Sequence, residues 1–290
     1  MNSTPEPAST VIRHAPAKLN LSLRVLARRA DGFHEIDTLM VPVSGLHDVL
    51  TISRSETLEF TCSDPSLPVD DGNLVVRAVR AFAAAAGTGE GIRVHLEKNI
   101  PSGAGLGGGS SDAAATLLAL QEIHGQPLDR ATLDEVASML GSDVPFFLDG
   151  GPARCSGRGE IVTPAPNSIP GSLPVLLLKP HFPVATVDAY RAALDPAVCV
   201  VPGVRMDRQQ IDGLECFNDL ERPVFAKHRF LAELKLWLGA RPETRASLMS
   251  GSGSTVFAIL HAGVNAESVI RAARHELDAR LWAWHGVLLE

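Results

Sequence analysis

The sequence predicts an α+β fold. Three observations carry it: strand-like segments alternate polar and apolar residues with a period of two, helical segments are not spaced one per strand, and a glycine-rich stretch separates a clean strand from a clean helix. Residues 18–26, KLNLSLRVL, open the pattern. Leu19, Leu21, Leu23 and Val25 share one face and Lys18, Asn20, Ser22 and Arg24 the other, the mark of a half-buried strand with Lys18 and Asn20 side by side on its polar face. Residues 48–53 read as another strand. Residues 73–86 read as a helix with Asn73 as its N-cap and Gly87 as the residue that closes it. IRVHLE, 92–97, alternates again, with Ile92, Val94 and Leu96 inward. Beyond the glycine stretch an alanine-rich helix is expected over 110–124, and a further one over 130–140 stopped by Gly141. Residues 150–174 are rich in Gly and Pro and read as a crossing between domains, which sets the domain limits at 11–160 and 161–290. The second half is expected to hold strands at 175–178 and 255–260 and helices near 223–238 and 265–280.

Composition narrows the function. The chain has 290 residues, 45% hydrophobic and 20% charged, as in ordinary globular proteins. A net charge of −7 argues against nucleic acid as a partner, because such a protein needs a basic face to displace counterions. An anionic substrate must then be drawn in by local groups. The opening MNSTPEPAST has neither the basic start nor the apolar core of a secretory signal, and no apolar run reaches the roughly 18–20 residues of a membrane span. Cys62, Cys155, Cys199 and Cys216 form no CxxC pair and no disulfide framework. The expectation is a cytoplasmic protein without a membrane partner, monomer or homodimer.

The most telling stretch is NIPSGAGLGGGSSDAAA, 99–115, in which five of the seven positions 103–109 are glycine. Each glycine in an ordered element costs up to about 1 kcal/mol relative to alanine, so such a run needs a reason. Close approach supplies one: without Cβ atoms, backbone N–H groups can point into a phosphate, and the following helix adds the positive end of its dipole. Ser110 and Ser111 bring hydroxyls to that same end. GxGxxG occurs at 103, 105 and 108, but the second strand of a dinucleotide fold does not follow; residues 125–141 supply a turn and a helix instead. The dipeptide Gly-Lys of a Walker loop is missing, as are the HRD and DFG runs of protein kinases.

The loop resembles the central motif of the GHMP kinases, the galactokinase, homoserine, mevalonate and phosphomevalonate kinase family: Pro101, then Gly105-Leu106-Gly107, then Ser110-Ser111 and Ala113-Ala114. PAKLNLSL, 16–23, is similar to the first motif of that family and SGSGSTVFAIL, 250–260, to the third, so three motifs stand in the family's order across most of the chain. The resemblance implies an N-terminal domain like ribosomal protein S5 domain 2 and a C-terminal ferredoxin-like domain. It implies ATP as co-substrate, its phosphates held by Pro101-Ser102-Gly103-Ala104-Gly105-Leu106-Gly107-Gly108-Gly109-Ser110-Ser111 with Gly251, Ser252 and Gly253. Mg²⁺ would be held mainly by the phosphates, with no protein metal site.

Residues 28–40, RRADGFHEIDTLM, resemble the signature of the 4-diphosphocytidyl-2-C-methyl-D-erythritol kinases, Arg-x-Asp-Gly-Tyr-His, with Phe33 where tyrosine is usual. The implied substrate carries a cytidine diphosphate group. Its base would stack on Phe33, hydrogen-bond to His34 and meet Tyr190 and Thr186 from the second domain; a phenyl ring still stacks, so only a hydroxyl contact is affected by the change. By itself the Asp-Gly pair makes a turn whose Phe33 could equally pack into a core. Asp143, in GSDVPFF, borders the apolar run Val144 to Phe147. The resemblance makes Asp143 the general base toward the substrate hydroxyl, with Lys18 orienting that hydroxyl and Asn20 beside it. Competing readings are a kinase for homoserine or a mevalonate derivative, against which the 28–34 segment stands, and a noncatalytic nucleotide sensor, against which the Lys18 and Asp143 pair stands.

Overall fold

A computed structural model of the chain describes residues 10–195, 198 and 208–288; Cys199 lies outside them. The chain forms two compact units. Unit 1 takes the described residues through Ala17, then Leu46–Ile100 and Gly107–Gly150; unit 2 takes Lys18–Gly45, Pro101–Leu106 and the described residues from Gly151 onward. The units interleave along the chain because the first two strands, β1 (Thr10–Arg28) and β2 (His34–Arg54), are long enough to contribute to both.

In unit 1, β4 (Ile92–Glu97) pairs antiparallel with β2 from Val49 to Arg54 and parallel with β3 (Glu59–Cys62). Its alternation holds, with Ile92, Val94 and Leu96 buried. Helix α1 (Leu74–Ala86) starts where Asn73 Oδ1 accepts from Val75 N and ends at Gly87, whose φ of +64° only glycine adopts without strain. Its buried face, Val75, Val76, Val79 and Phe82, packs on α2 (Gly108–Ile123). Burying each such side chain stabilises by about 1.5–3 kcal/mol. Asp129 caps α3 (Arg130–Leu140) by accepting from Thr132 N, and the single turn α4 (Phe146–Asp149) follows.

In unit 2 the strands lie in the order β10 (Thr244–Met249), β11 (Val256–Leu260), β7 (Leu173–Lys179), β12 (Trp282–Leu288), β2, β1, β9 (Leu214–Asn218), β8 (Gln209–Ile211). β7 is a nearly continuous apolar run buried along its length, as a central strand requires. Helix α8 (Ala266–Glu276) carries an Asn265 cap. One expectation is corrected and two elements are added. The glycine- and proline-rich stretch 150–174 includes a hairpin, β5 (Ala153–Ser156) and β6 (Ile161–Pro164), with β5 paired to β2; its strands are too short to show a period. The helix expected at 223–238 is two, α6 (Glu221–Lys227) and α7 (Arg229–Gly239), because His228 at φ −119°, ψ 76° leaves the helical region. A short helix, α5 (Thr186–Ala193), stands where none was expected.

Candidate active site

Two glycine loops of unit 2 are knitted together through their backbones. Gly103 and Gly105 have φ of +62° and +75°, and between and after them Ala104 and Leu106 are buried, so the loop alternates left-handed glycines with apolar anchors. A Cβ on Gly105 would lie 2.1 Å from Ser250 O. Ser250 Oγ donates to Gly105 O at 2.9 Å and Thr255 N to Ala104 O at 3.1 Å. Gly251 and Gly253 are also left-handed, at +53° and +84°. Ser252 Oγ lies 2.9 Å from Thr186 Oγ1 at the start of α5, so Thr186 reaches the third motif.

The first motif runs directly beneath this pair. Lys18 N donates to Leu106 O at 2.9 Å. The face read as the solvent side of a half-buried strand is not one at this point: Lys18 and Asn20 are 3% and 1% exposed. Lys18 Nζ donates to Asn20 Oδ1 at 2.6 Å, Asn20 Nδ2 donates to Thr38 Oγ1 at 2.8 Å, and Thr38 Oγ1 donates to Ser22 O at 2.6 Å. A Cβ on Gly251 would sit 3.3 Å from both Lys18 Nζ and Asn20 Oδ1. Held in place by Asn20, the buried Lys18 ammonium puts a fixed positive charge beside the two glycine loops.

The hairpin between β1 and β2 presents the next group. Asp31 Oδ1 accepts from Phe33 N at 3.1 Å and Gly32 takes φ +89°, which closes the turn. Phe33 is 47% exposed, so it is not a core residue. His34 faces Tyr190 of α5, ring centroids 5.7 Å apart. Burial, then the nearby Arg28, holds the His34 imidazole below its ordinary pKa, so it is neutral at physiological pH and can both donate and accept.

In unit 1, Gly107 at φ +72° opens α2, and Ser111 N donates to Gly107 O. Ser111 Oγ is buried with no hydrogen-bond partner among the described residues. An orphan hydroxyl and open N–H groups at a helix start suit a phosphate. Gly108 and Gly109 follow in the same turn, and the Cβ position of Gly141 lies 3.9 Å from Ser110 Oγ, which sets the turn bearing Asp143 beside that helix start. Asp143 is half-buried, followed by buried Val144, Phe146 and Phe147. Pro101 and Ser102 lead into the loop from its exposed side. Among the described residues no group of three or more His, Cys, Asp or Glu could hold a metal ion, and no helix is long and apolar enough to cross a membrane.

Sequence reasoning missed several residues. Asn218 Nδ2 donates to Met249 O and Gly251 O, both at 2.7 Å, and so fixes the third motif. Thr38 orients Asn20, and Arg158, in the β5–β6 turn, lies 4.9 Å over the Phe33 ring. Each acts across a sequence separation of 18 or more residues, and although Thr38 falls within the 28–40 segment, its bond to Asn20 leaves no mark in the sequence.

The two glycine loops of unit 2 over a buried lysine have the make-up of a phosphate-binding site, and the profile of the GHMP kinases N terminal domain matches residues 73–151. The chain is 42% identical over 247 residues to the 4-diphosphocytidyl-2-C-methyl-D-erythritol kinase of Methylacidiphilum infernorum, covering 84% of each. A crystal structure of 4-(cytidine 5'-diphospho)-2C-methyl-D-erythritol kinase superposes with a TM-score of 0.75 at 39% identity, covering 97% of this chain and all (100%) of that one. Homoserine kinase from Cytophaga hutchinsonii gives 0.69 at 20% identity, covering 99% and 97%, a likeness of fold alone. The chain belongs to the GHMP kinase superfamily and, within it, to the family of the 4-diphosphocytidyl-2-C-methyl-D-erythritol kinases. It has the GHMP kinase fold, with an N-terminal domain and a C-terminal α+β domain of ferredoxin-like kind.

Proposed function

We propose that this chain transfers the γ-phosphoryl group of ATP to the 2-hydroxyl of 4-diphosphocytidyl-2-C-methyl-D-erythritol, giving the 2-phosphate, a step in non-mevalonate isoprenoid precursor synthesis in the cytoplasm. The observation that carries this reading is the buried Lys18 ammonium, bonded to Asn20 under Gly251, in a chain whose relatives act on that substrate. Phosphoryl transfer asks a protein for positioning and charge stabilisation more than for covalent chemistry. The backbone of residues 101–111 and 251–253 receives the triphosphate, and the Ser111 hydroxyl and the α2 dipole complete the cradle. Mg²⁺, held mainly by the phosphates, would neutralise part of their charge. Asp143 takes the proton of the 2-hydroxyl as its oxygen attacks the γ-phosphorus; the bond from that phosphorus to the bridging oxygen breaks and ADP leaves. Lys18, oriented by Asn20, holds the hydroxyl and stabilises the oxyanion it becomes. The cytosine stacks on Phe33 with Tyr190 nearby, and neutral His34 pairs with its edge. The working form is a monomer or homodimer.

The test is ADP release with ATP and Mg²⁺ against three acceptors: the cytidyl substrate, homoserine and mevalonate. Turnover confined to the cytidyl substrate is expected. Turnover confined to another alcohol removes the base pocket from the account, and none at all favours a nucleotide sensor.

A further inference from the structure

Unit 1 contains a buried charge cluster that the chemistry above does not use. Lys98 follows β4; its ammonium donates to Asp48 Oδ2 of β2 and lies 3.2 Å from Asp112 Oδ2 in the second turn of α2. The side chains of Lys98, Asp48 and Asp112 are 7%, 0% and 3% exposed. Asp48 Oδ1 also accepts from Asn99 N at 2.6 Å and Ile100 N at 2.8 Å, which ties the cluster to the chain entering the glycine loop. At its other side, Lys98 Nζ is 2.9 Å from where a Cβ on Gly108 would be, so the ammonium presses against the backbone of the first residue of α2.

We infer that Asp112 is a positioning residue for the nucleotide: with Asp48 it holds the Lys98 ammonium against Gly108, and the charge of this buried triad sets the electric field at the phosphate-receiving turn of α2. The inference rests on the reading that this turn receives the ATP phosphates. One cation faces two carboxylates. With both ionised the triad carries a net negative charge beneath a polyanion site; with one proton added it is neutral and the helix dipole acts unopposed. Asp112 is the group that takes the proton. One of its carboxylate oxygens, Oδ1, is buried without a hydrogen-bond partner among the described residues. Burial, and then Asp48, push its pKa up to about 8 against the pull of Lys98. Burial works against the Lys98 ammonium, but Asp112 and Asp48 together hold it above its ordinary value, so it stays charged. The helices packed on α2 turn only apolar side chains into the interior: Val75 to Ala83 of α1, Leu133 to Leu140 of α3 and Phe146 to Leu148 of α4. Lys98 and Asp48 are therefore the charged groups that face Asp112.

The sign follows. A carboxyl that burial holds well above the ordinary carboxylate range is neutral at lower pH, and as pH rises and it ionises, a negative charge appears under the phosphate turn and nucleotide binding weakens. The experiment measures the dissociation constant of a nonhydrolysable ATP analogue with Mg²⁺ from pH 6.5 to 9.5, for the wild type and for Asp112→Asn. The wild-type constant is expected to rise by about fivefold or more across the upper half of that range, a typical coupling magnitude, while the variant, neutral throughout, stays level and matches wild type near pH 7. Calorimetry of the wild type alone, in two buffers of different ionisation enthalpy at pH 8, should register net proton uptake on binding and serves even where the variant does not fold. Parallel pH profiles, or no proton uptake, with nucleotide binding intact, overturn this role for Asp112 and leave the phosphate reading standing. Failure of the wild type to bind nucleotide at any pH overturns the phosphate reading and this inference with it.

Discussion

The glycine loops and the β1–β2 hairpin tip both belong to unit 2, yet they are built by opposite means. In the loops, Ser250 and Ser254 are fully buried, Ser250 and Thr255 bond to backbone carbonyls of residues 104–105, and positions 105 and 251 have no room or conformation for a side chain. At the tip, Phe33 stands half in solvent and Arg29 pairs with Asp31 at 3.1 Å and Glu35 at 2.8 Å, both partly exposed and each worth about 0–1 kcal/mol. The difference matches what each part would read. A triphosphate is the same in every ATP, so rigid backbone N–H groups suffice for it; a base must be told from other groups, and that takes side chains.

The largest expected effect tests whether the chemistry lies outside both parts. Asp143→Asn should lower kcat by about 10²–10⁴-fold with unchanged melting temperature and ATP affinity; near-normal turnover would remove Asp143 as the base. Next comes the buried part. Gly105→Ala places a methyl 2.1 Å from Ser250 O at φ +75°, a strain of about 1–3 kcal/mol, so differential scanning calorimetry should find a lower Tm and steady-state kinetics a weaker use of ATP. The exposed part should answer differently. Phe33→Ala, losing a stacking partner worth about 0.5–1.5 kcal/mol, should raise KM for the cytidyl substrate up to about tenfold and leave KM for ATP and Tm alone; a matching rise in the ATP constant would erase the distinction between the two parts. Smallest of all, Arg29→Ala should shift stability by less than about 1 kcal/mol in urea unfolding.

The same contrast governs what could be read from the sequence. Local signals were legible: the Asn73 cap and Gly87 stop of α1, the alternation of β4, and the glycine run, whose cost in backbone entropy demanded a reason. The three motifs were visible because each is contiguous. What was not legible is what the fold assembles. Asp48 and Lys98 are 50 residues apart and meet only because β2 and β4 pair antiparallel. Asn218 reaches Gly251 across 33 residues. The polar face of β1 alternates as a solvent face does, and period alone cannot tell a face covered by loops from one covered by water. His228 breaks a helix without a Gly or Pro to announce it.

The most direct test of the central claim is the ³¹P spectrum of the product formed from ATP, Mg²⁺ and the cytidyl substrate. A new phosphomonoester resonance appearing beside an intact diphosphate pair, in step with ADP, is the result this account predicts. ADP accompanied only by inorganic phosphate, with the cytidyl substrate unchanged, would contradict it.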